Sequence, residues 1–392
     1  MGRGQRRHLI AGIAISSVMF AACAASGDEG AIDEARTALD ETVAFATKDW
    51  DTDWANATID LDELLLGIGA TEPRDAIAPI DEPKYETPDD AADWLSDREP
   101  GALVQVNGDV RFFPLSIMTR HEIVNDEIGG VPVAVTYCPL CNTALSFDRR
   151  VDGAVLRFGV SGLLRNSDLV MWDDRTVSLW QQITGEALVG AHAGTRLQPI
   201  STAIVRFGDF RSGFPGGRSL TRDTGFEITY GANRYVDYSD RFAPMIPVEG
   251  ERDNRFPALE RVVGVSVGGA EKAYPFSVLR AHQVVNDVVG GIPVAVLWGS
   301  PDTADALDAK LVADGDAIGT AIAFDPTVDD RVLTLSADGD TFSDAETNST
   351  WTILGQAVSG PLAGTQLETV THRNEFWFAW TAFFPDAAVY GS

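Results

Sequence analysis

The chain has 392 residues, 45% of them hydrophobic, and a formal net charge of −28. That length exceeds one ordinary domain, and the composition is that of a globular chain. So acidic a chain would oppose a phosphate backbone instead of releasing its counterions, which excludes nucleic acid as a partner.

Arg3, Arg6 and Arg7 precede the apolar run Leu9 to Phe20, which leads into Ala21-Ala22-Cys23. A cationic start, a short apolar core and small residues before a cysteine predict a signal peptide over residues 1–22. The box around Cys23 resembles that of bacterial lipoproteins, with Phe20 where Leu is usual. It implies lipidation of Cys23, hence an extracytoplasmic protein whose membrane contact is a lipid anchor. Arg6-Arg7 also loosely resembles a twin-arginine export signal, so the export route stays open. Removing residues 1–22 takes away three arginines and no acid, which moves the charge from −28 to −31. No later stretch has the roughly 18 unbroken apolar residues of a membrane span.

Residues 23–72 are rich in Ala, Asp, Glu and Thr and read as an acidic tether, with helical spacing from Ala31 to Phe45 and an acid-flanked run Leu61 to Leu66. Pro73 to Pro83 is a proline-marked, extended link. Then comes the strongest internal signal, a repeat. Residues 106–135 match 267–296 without a gap: Pro114, His121, Asn125, Asp126, Gly129, Gly130 and Pro132 recur as Pro275, His282, Asn286, Asp287, Gly290, Gly291 and Pro293. Ser178, Trp180, Gly185 and Gly190 then face Ser349, Trp351, Gly355 and Gly360, and Phe207, Phe210, Phe214 and Pro215 face Trp377, Trp380, Phe384 and Pro385. Residues 73–220 are expected to be a first repeat domain, 221–260 a connector, and 261–392 a second, degenerate repeat domain.

Within each copy, Val131 to Tyr137 and Ile292 to Trp298 predict Val-rich strands entered through a Gly-Gly turn. Ala144 to Phe147, Ala154 to Val160 and Leu169 to Trp172 predict further strands, with Asp152-Gly153 as a hairpin turn. Phe113 to Val124 has helical spacing and runs out near an Asn125-Asp126 turn. The fold class is therefore α+β, β-rich, in two pseudo-equivalent tandem copies.

The octapeptide Tyr137-Cys138-Pro139-Leu140-Cys141-Asn142-Thr143-Ala144 carries the chemistry. With RHEIVND at 120–126, SGLLRNSDLVMWDDRTVSLWQQITGEALVG at 161–190 and FWFAWTAFFPD at 376–386, it resembles domain-of-unknown-function family 3179, exported bacterial and archaeal proteins with a YCPLCxTA motif. The resemblance covers most of residues 73–392. It implies export and architecture, and transfers no activity.

Two thiols spaced C-x-x-C can bind a soft metal, cycle between thiol and disulfide, or simply pack. They are too close to close a long loop, and Asn142 stands where covalent haem attachment needs histidine. A thioredoxin-like site lacks its helix after the second cysteine, and zinc normally takes four ligands where a second C-x-x-C is absent. In the second copy the cysteines become Gly299 and Asp302, Met171 becomes Phe342 and His192 becomes Leu362. Cys138, Cys141, Met171 and His192, with His121 in reserve, are thus the candidate metal set, and copper or zinc the candidate ions. His121, which recurs as His282, also reads as a structural residue bonding a turn carbonyl. About six extra residues around Leu163 to Asp168 bring Arg165, Asn166 and Asp168, candidates for a polar pocket beside the sulfurs. The leading expectation is a metal-binding or metal-dependent redox lipoprotein. The rivals are a thiol–disulfide protein with an exposed Cys138 nucleophile and a non-catalytic scaffold presenting a groove. No catalytic residue, small-molecule ligand or protein partner is legible.

Overall fold

Gly129 and Gly130 hold positive φ angles of 55° and 78°, and a Cβ on Gly129 would come within 2.2 Å of the Val106 carbonyl oxygen. Gly129 therefore has no room for a side chain, and glycine takes both left-handed positions without strain. The turn joins Ile123–Ile128 to Val131–Cys138 in an antiparallel hairpin with Ile128 opposite Val131. Gly290 and Gly291 do the same between Val284–Val289 and Ile292–Gly299. The computed structural model describes residues 36–391. The expected signal peptide, Cys23 and the first part of the expected tether lie outside the described residues. No helix among the described residues is long and apolar enough to cross a membrane.

The fold is β-rich and its sheets are open. Residues 65–220 form three principal sheets. The first runs Thr202–Arg206, Pro100–Val106, Asp109–Pro114, Arg218–Leu220, Tyr85–Glu86. The second runs Pro199–Ile200, Thr143–Asp148, Val131–Cys138, Ile123–Ile128, and the third Leu65–Leu66, Phe158–Arg165, Asp168–Asp173, Leu179–Gln181, Ala187–Val189. Residues 261–389 form three more. Their orders are His372–Phe376, Arg261–Val267, Ala270–Pro275, Ala388–Val389; then Glu368–Thr369, Thr320–Asp325, Ile292–Gly299, Val284–Val289; then Leu335–Asp338, Thr341–Asp344, Thr350–Trp351, Ala357–Ser359. Leaving aside the outer strands Tyr85–Glu86 and Leu65–Leu66, neighbours follow one another in the same succession in both sets. Each first sheet even contains one parallel pairing, Arg218–Leu220 on Asp109–Pro114 and Ala388–Val389 on Ala270–Pro275.

The helical spacing over Phe113 to Val124 yields a helix only at Leu115–His121. Phe113 and Pro114 complete a strand, Glu122 ends the helix at φ 60°, and Ile123 opens the next strand. Asn125 and Asp126 are strand residues, not a turn. The Asn125 amide donates to the Phe158 carbonyl (2.8 Å) and accepts from the Phe158 N–H (2.9 Å), so the side chain stands in for a neighbouring strand. Asn286 bonds both backbone groups of Leu335 in the same way.

The described part of the acidic segment is packed, which the tether expectation did not foresee. Val43, Trp50, Trp54, Leu61 and Leu64 are buried in one cluster with Leu163, Val170, Leu179 and Val189 of the third sheet. Most of its acids face solvent while the clustered Val, Leu and Trp side chains cover a sheet face, where their burial is worth about 1.5–3 kcal/mol each. The acid-flanked run Leu61 to Leu66 forms a short 3-10 turn, Leu61–Glu63, and an edge strand pairing Leu65 with Leu164. Residues 221–260 form no strand or helix and reach the cysteine loop and the Asn166 turn through Tyr238 and Glu249. The main core holds both cysteines and continues through Tyr238 of this connector into Phe376, Phe378 and Ala379.

Candidate metal centre

Two hairpin turns meet here. Cys138 ends one strand and pairs with Thr143 at the start of the next, which leaves Pro139 to Asn142 as the loop. Asn142 closes it at φ 55°, and its side-chain oxygen accepts from the Tyr137 hydroxyl (3.1 Å). The second turn is Asn166-Ser167, between the paired residues Arg165 and Asp168, with φ angles of 50° and 64°. The left-handed region is natural for Asn and strained for Ser. Hairpin tips normally lie at the surface. This one is buried, with Ser167 and Asp168 both 0% exposed.

Other parts of the chain seal the junction. The Tyr238 hydroxyl of the connector donates to the Leu140 carbonyl (2.8 Å), and the Glu249 N–H to Asn166 Oδ1 (2.9 Å). From the far end of the sequence, the Phe376 N–H donates to the Cys141 carbonyl (2.9 Å).

Among the described residues, one group of three or more candidate ligands converges: Cys138 Sγ, Cys141 Sγ and a carboxylate oxygen of Asp168, all buried and within 4.8 Å of one another. Both cysteines are free thiols, and the Cys141 thiol donates to the Ser167 carbonyl at 3.3 Å. Asp168 Oδ2 accepts from Gln181 Nε2 (2.7 Å) and the Ile183 N–H (3.0 Å). Asp168 Oδ1 has no partner, an orphan that a buried carboxylate seldom tolerates.

Burial governs the electrostatics. It pushes the Cys138 thiol above its ordinary value and the Cys141 thiol well above it. It lifts Asp168 to about 6 against the opposing hydrogen bonds from Gln181 and Ile183 and the weaker ones from the neighbouring Cys141 and Cys138 thiols. Glu122 and Glu375 are raised to about 8, first by burial, with the Asp168 charge adding to both. Five acids thus share one interior, and protonation is the cheapest way for them to coexist. A divalent cation inverts that balance by stabilising the deprotonated ligands.

Cys138, Cys141 and Asp168 are brought together, and Arg165 and Asn166 sit at the same hairpin tip. Arg165 pairs with Glu63 (2.6 Å), while Asn166 accepts from the connector. Met171 is fully buried in the same core, opposite Trp180 on the neighbouring strand. The histidines do not join the group. His121 Nδ1 lies 2.6 Å from the Ala78 carbonyl, so it carries the hydrogen, and Nε2 accepts from the Tyr230 hydroxyl (2.6 Å). Burial holds its pKa down, and both ring nitrogens are already engaged. His192 packs against Trp180, 5.6 Å between ring centroids, with Nδ1 3.7 Å from an Asp152 carboxylate oxygen. An exposed Cys138 nucleophile is also not what the fold provides: Cys138 is 2% exposed and its thiol is harder to ionise than a free one.

Sequence reasoning missed Glu122, Ser167, Gln181 and Glu375. The internal match held a signal for each, since Gln283 stands where Glu122 follows His121, Thr352 where Gln181 follows Trp180 and Val205 where Glu375 precedes the closing aromatics, while Ser167 lies in the extra stretch 163–168; only tertiary structure gathers them at one place.

These features define a β-rich protein with a buried dithiol–carboxylate cluster. Over residues 74–387 the chain matches the model of a family described as Protein of unknown function (DUF3179), and it belongs to that family. No curated protein and no solved structure matches it.

Proposed function

We propose that this protein binds a divalent metal ion through Cys138, Cys141 and Asp168. The observation that carries the reading is the convergence of three buried ligand atoms within 4.8 Å, one of them from a carboxylate whose Oδ1 has no other partner. Two sulfurs and one carboxylate oxygen suit a borderline ion of the zinc class. Copper(I) would fit the softer set with Met171 and His192 better, and the carboxylate counts against it.

We further propose that the chain is a lipid-anchored extracytoplasmic protein made of two copies of one domain, with the working site in the first. The anchor rests on the apolar run ending at Ala21-Ala22-Cys23. The duplication rests on the ungapped match of residues 106–135 with 267–296 and on the common strand succession of the two sets of sheets.

Elemental analysis of protein purified without a histidine tag tests the metal reading. One zinc-class ion per chain, lost on Cys138→Ser with Cys141→Ser, is the expected result; metal-free protein that takes up no added zinc would refute it. For the anchor, mass spectrometry of the membrane fraction should find an acylated Cys23 peptide, and an unmodified N-terminus at a later residue would count against it.

A further inference from the structure

Asp168 Oδ2 is held by two donors, and each donor is held by an arginine from a different part of the chain. Gln181 Nε2 donates at 2.7 Å, and Gln181 Oε1 in turn accepts from Arg165 NH1 at 3.4 Å. Because a guanidinium only donates, Arg165 dictates which end of the amide faces Asp168. Arg165 is itself anchored on Glu63 of the N-terminal segment (2.6 Å). On the other side, the Ile183 N–H donates to Oδ2 at 3.0 Å, while Arg373 NH1 from the last sheet donates to the Ile183 carbonyl at 3.1 Å.

None of this recurs in the second half. Thr352 follows Trp351 where Gln181 follows Trp180, and Ala203 stands in the strand before Phe207 where Arg373 stands in the strand before Trp377. Gln181 is 0% exposed and Arg373 8%. The Arg373 guanidinium is held from several sides, by Ser266, by Glu271 and Glu375 at 3.5 Å and over the Phe384 ring, which fixes the NH1 that reaches the Ile183 carbonyl.

We infer that this two-arginine clamp restricts Asp168 to one-oxygen coordination through Oδ1, and thereby selects a compact four-coordinate ion of the zinc class. The inference rests on the metal reading above. Larger oxygen-seeking cations take both oxygens of a carboxylate in expanded coordination shells, whereas four-coordinate zinc sites take one. Two-oxygen binding at Asp168 would pull Oδ2 away from Gln181 and Ile183 and leave two buried N–H groups without partners. Gln181, Arg165 and Arg373 are positioning residues: they act on the ion through Asp168.

Cobalt(II), a zinc stand-in with visible absorption, is the probe, titrated into the full chain stripped of metal. Thiolate-to-cobalt charge transfer reports the sulfurs, and the intensity of the visible bands reports coordination number, falling when it exceeds four. Gln181→Met keeps the volume and removes the donor. The expected result is a cobalt affinity lower by about 10–100-fold, the usual consequence of losing a ligand's outer partner, with charge transfer kept and the visible bands weakened. Arg165→Met should move both readouts the same way by less, and Arg165→Lys, which can still donate to Gln181 and Glu63, should restore them. If Gln181→Met fails to fold, Arg165→Met decides alone. Unchanged affinity and band intensity in the folded variants would overturn the clamp while leaving the metal reading standing. Absence of charge transfer in the parent protein would overturn both.

Discussion

The two ends at which Val131–Cys138 and Ile292–Gly299 terminate are built on the same frame and finished differently. Each frame has an Asn bonding both backbone groups of a distant residue, Asn125 to Phe158 and Asn286 to Leu335. Each also has a buried Asp gathering a Thr, a Ser and a Trp: Asp173 with Thr176, Ser178 and Trp180, and Asp344 with Thr347, Ser349 and Trp351. Beyond the frame they diverge. In the first half a short loop carries two sulfurs onto a buried hairpin tip. In the second, residues 300–319 form a long excursion that buries Asp305 against Arg261 (2.6 Å), and the hairpin at 338–341 turns in the open through Gly339. A shared frame with unshared chemistry puts the candidate ligands in the finish. The second half nevertheless serves the first, through Phe376 on Cys141 and Arg373 on Ile183.

The comparison breaks most directly at the sulfurs. Cys138→Ser with Cys141→Ser is expected to abolish zinc binding in isothermal titration while far-UV circular dichroism stays that of the parent and the unfolding midpoint falls by only a few degrees. The exchange changes ligand softness far more than volume, and each buried hydroxyl left without a partner costs about 1–3 kcal/mol. Loss of the fold with no metal lost would mean the pair is only core.

A second difference is the layer that the N-terminal segment lays over the third sheet of the first half. Trp54 is 1% exposed in that layer, and Trp54→Ala should lower unfolding stability by about 3–5 kcal/mol in urea titrations, the usual cost of emptying a buried aromatic site. A change under about 1 kcal/mol would restore the view of residues 23–72 as a loose tether.

What the sequence disclosed depended on how local the cause was. The Gly-Gly turns, the Val-rich strands and the Asp152-Gly153 hairpin were legible because each is dictated by neighbouring residues. The packed tether was not, since Trp50 and Trp54 lie among acids and their partners Leu163 and Val189 are more than a hundred residues away. Asn125-Asp126 reads as a turn by composition and becomes strand because Phe158 supplies the bonds. At the site, Asp168 was within reach because the second half lacks its loop, whereas His192 looked equally special on the same argument and serves packing against Trp180. Difference between the matching segments marks candidates; only geometry sorts them.

Glu375 sharpens the comparison through pH. It stands in the strand before Trp377, where Val205 stands in the strand before Phe207. It is 0% exposed, and burial raises its pKa to about 8 from 4.5. A carboxyl raised in the fold contributes stability that is complete below about pH 4.5 and is lost as pH rises through about 8. Unfolding midpoints of metal-free protein should therefore fall between pH 5 and 8, and Glu375→Gln should reduce that fall. Some slope should remain, because Glu122, also raised to about 8, titrates with the same sign. Identical slopes in parent and variant would show that Glu375 is not held neutral by the fold.

The smallest expected effect comes from restoring sulfur to the second half. Gly299→Cys with Asp302→Cys recreates the spacing of Cys138 and Cys141, and if spacing alone made the site, zinc stoichiometry would rise to two. It should stay at one. Asp302 is exposed, its carboxylate pairs with Arg206 at 2.5 Å, and its carbonyl accepts from Arg98 Nε at 3.1 Å, so a sulfur there would face solvent. A Cβ on Gly299 would meet Phe342 Cζ at 3.3 Å and Ile353 Cδ1 at 3.4 Å, an apolar wall with no carboxylate in it. The stability change should be about 1–2 kcal/mol, from slight overpacking at 299 and loss of one exposed ion pair at 302. A second zinc bound with comparable affinity would mean that the C-x-x-C spacing suffices, and that Asp168, its clamp and the buried hairpin tip add nothing.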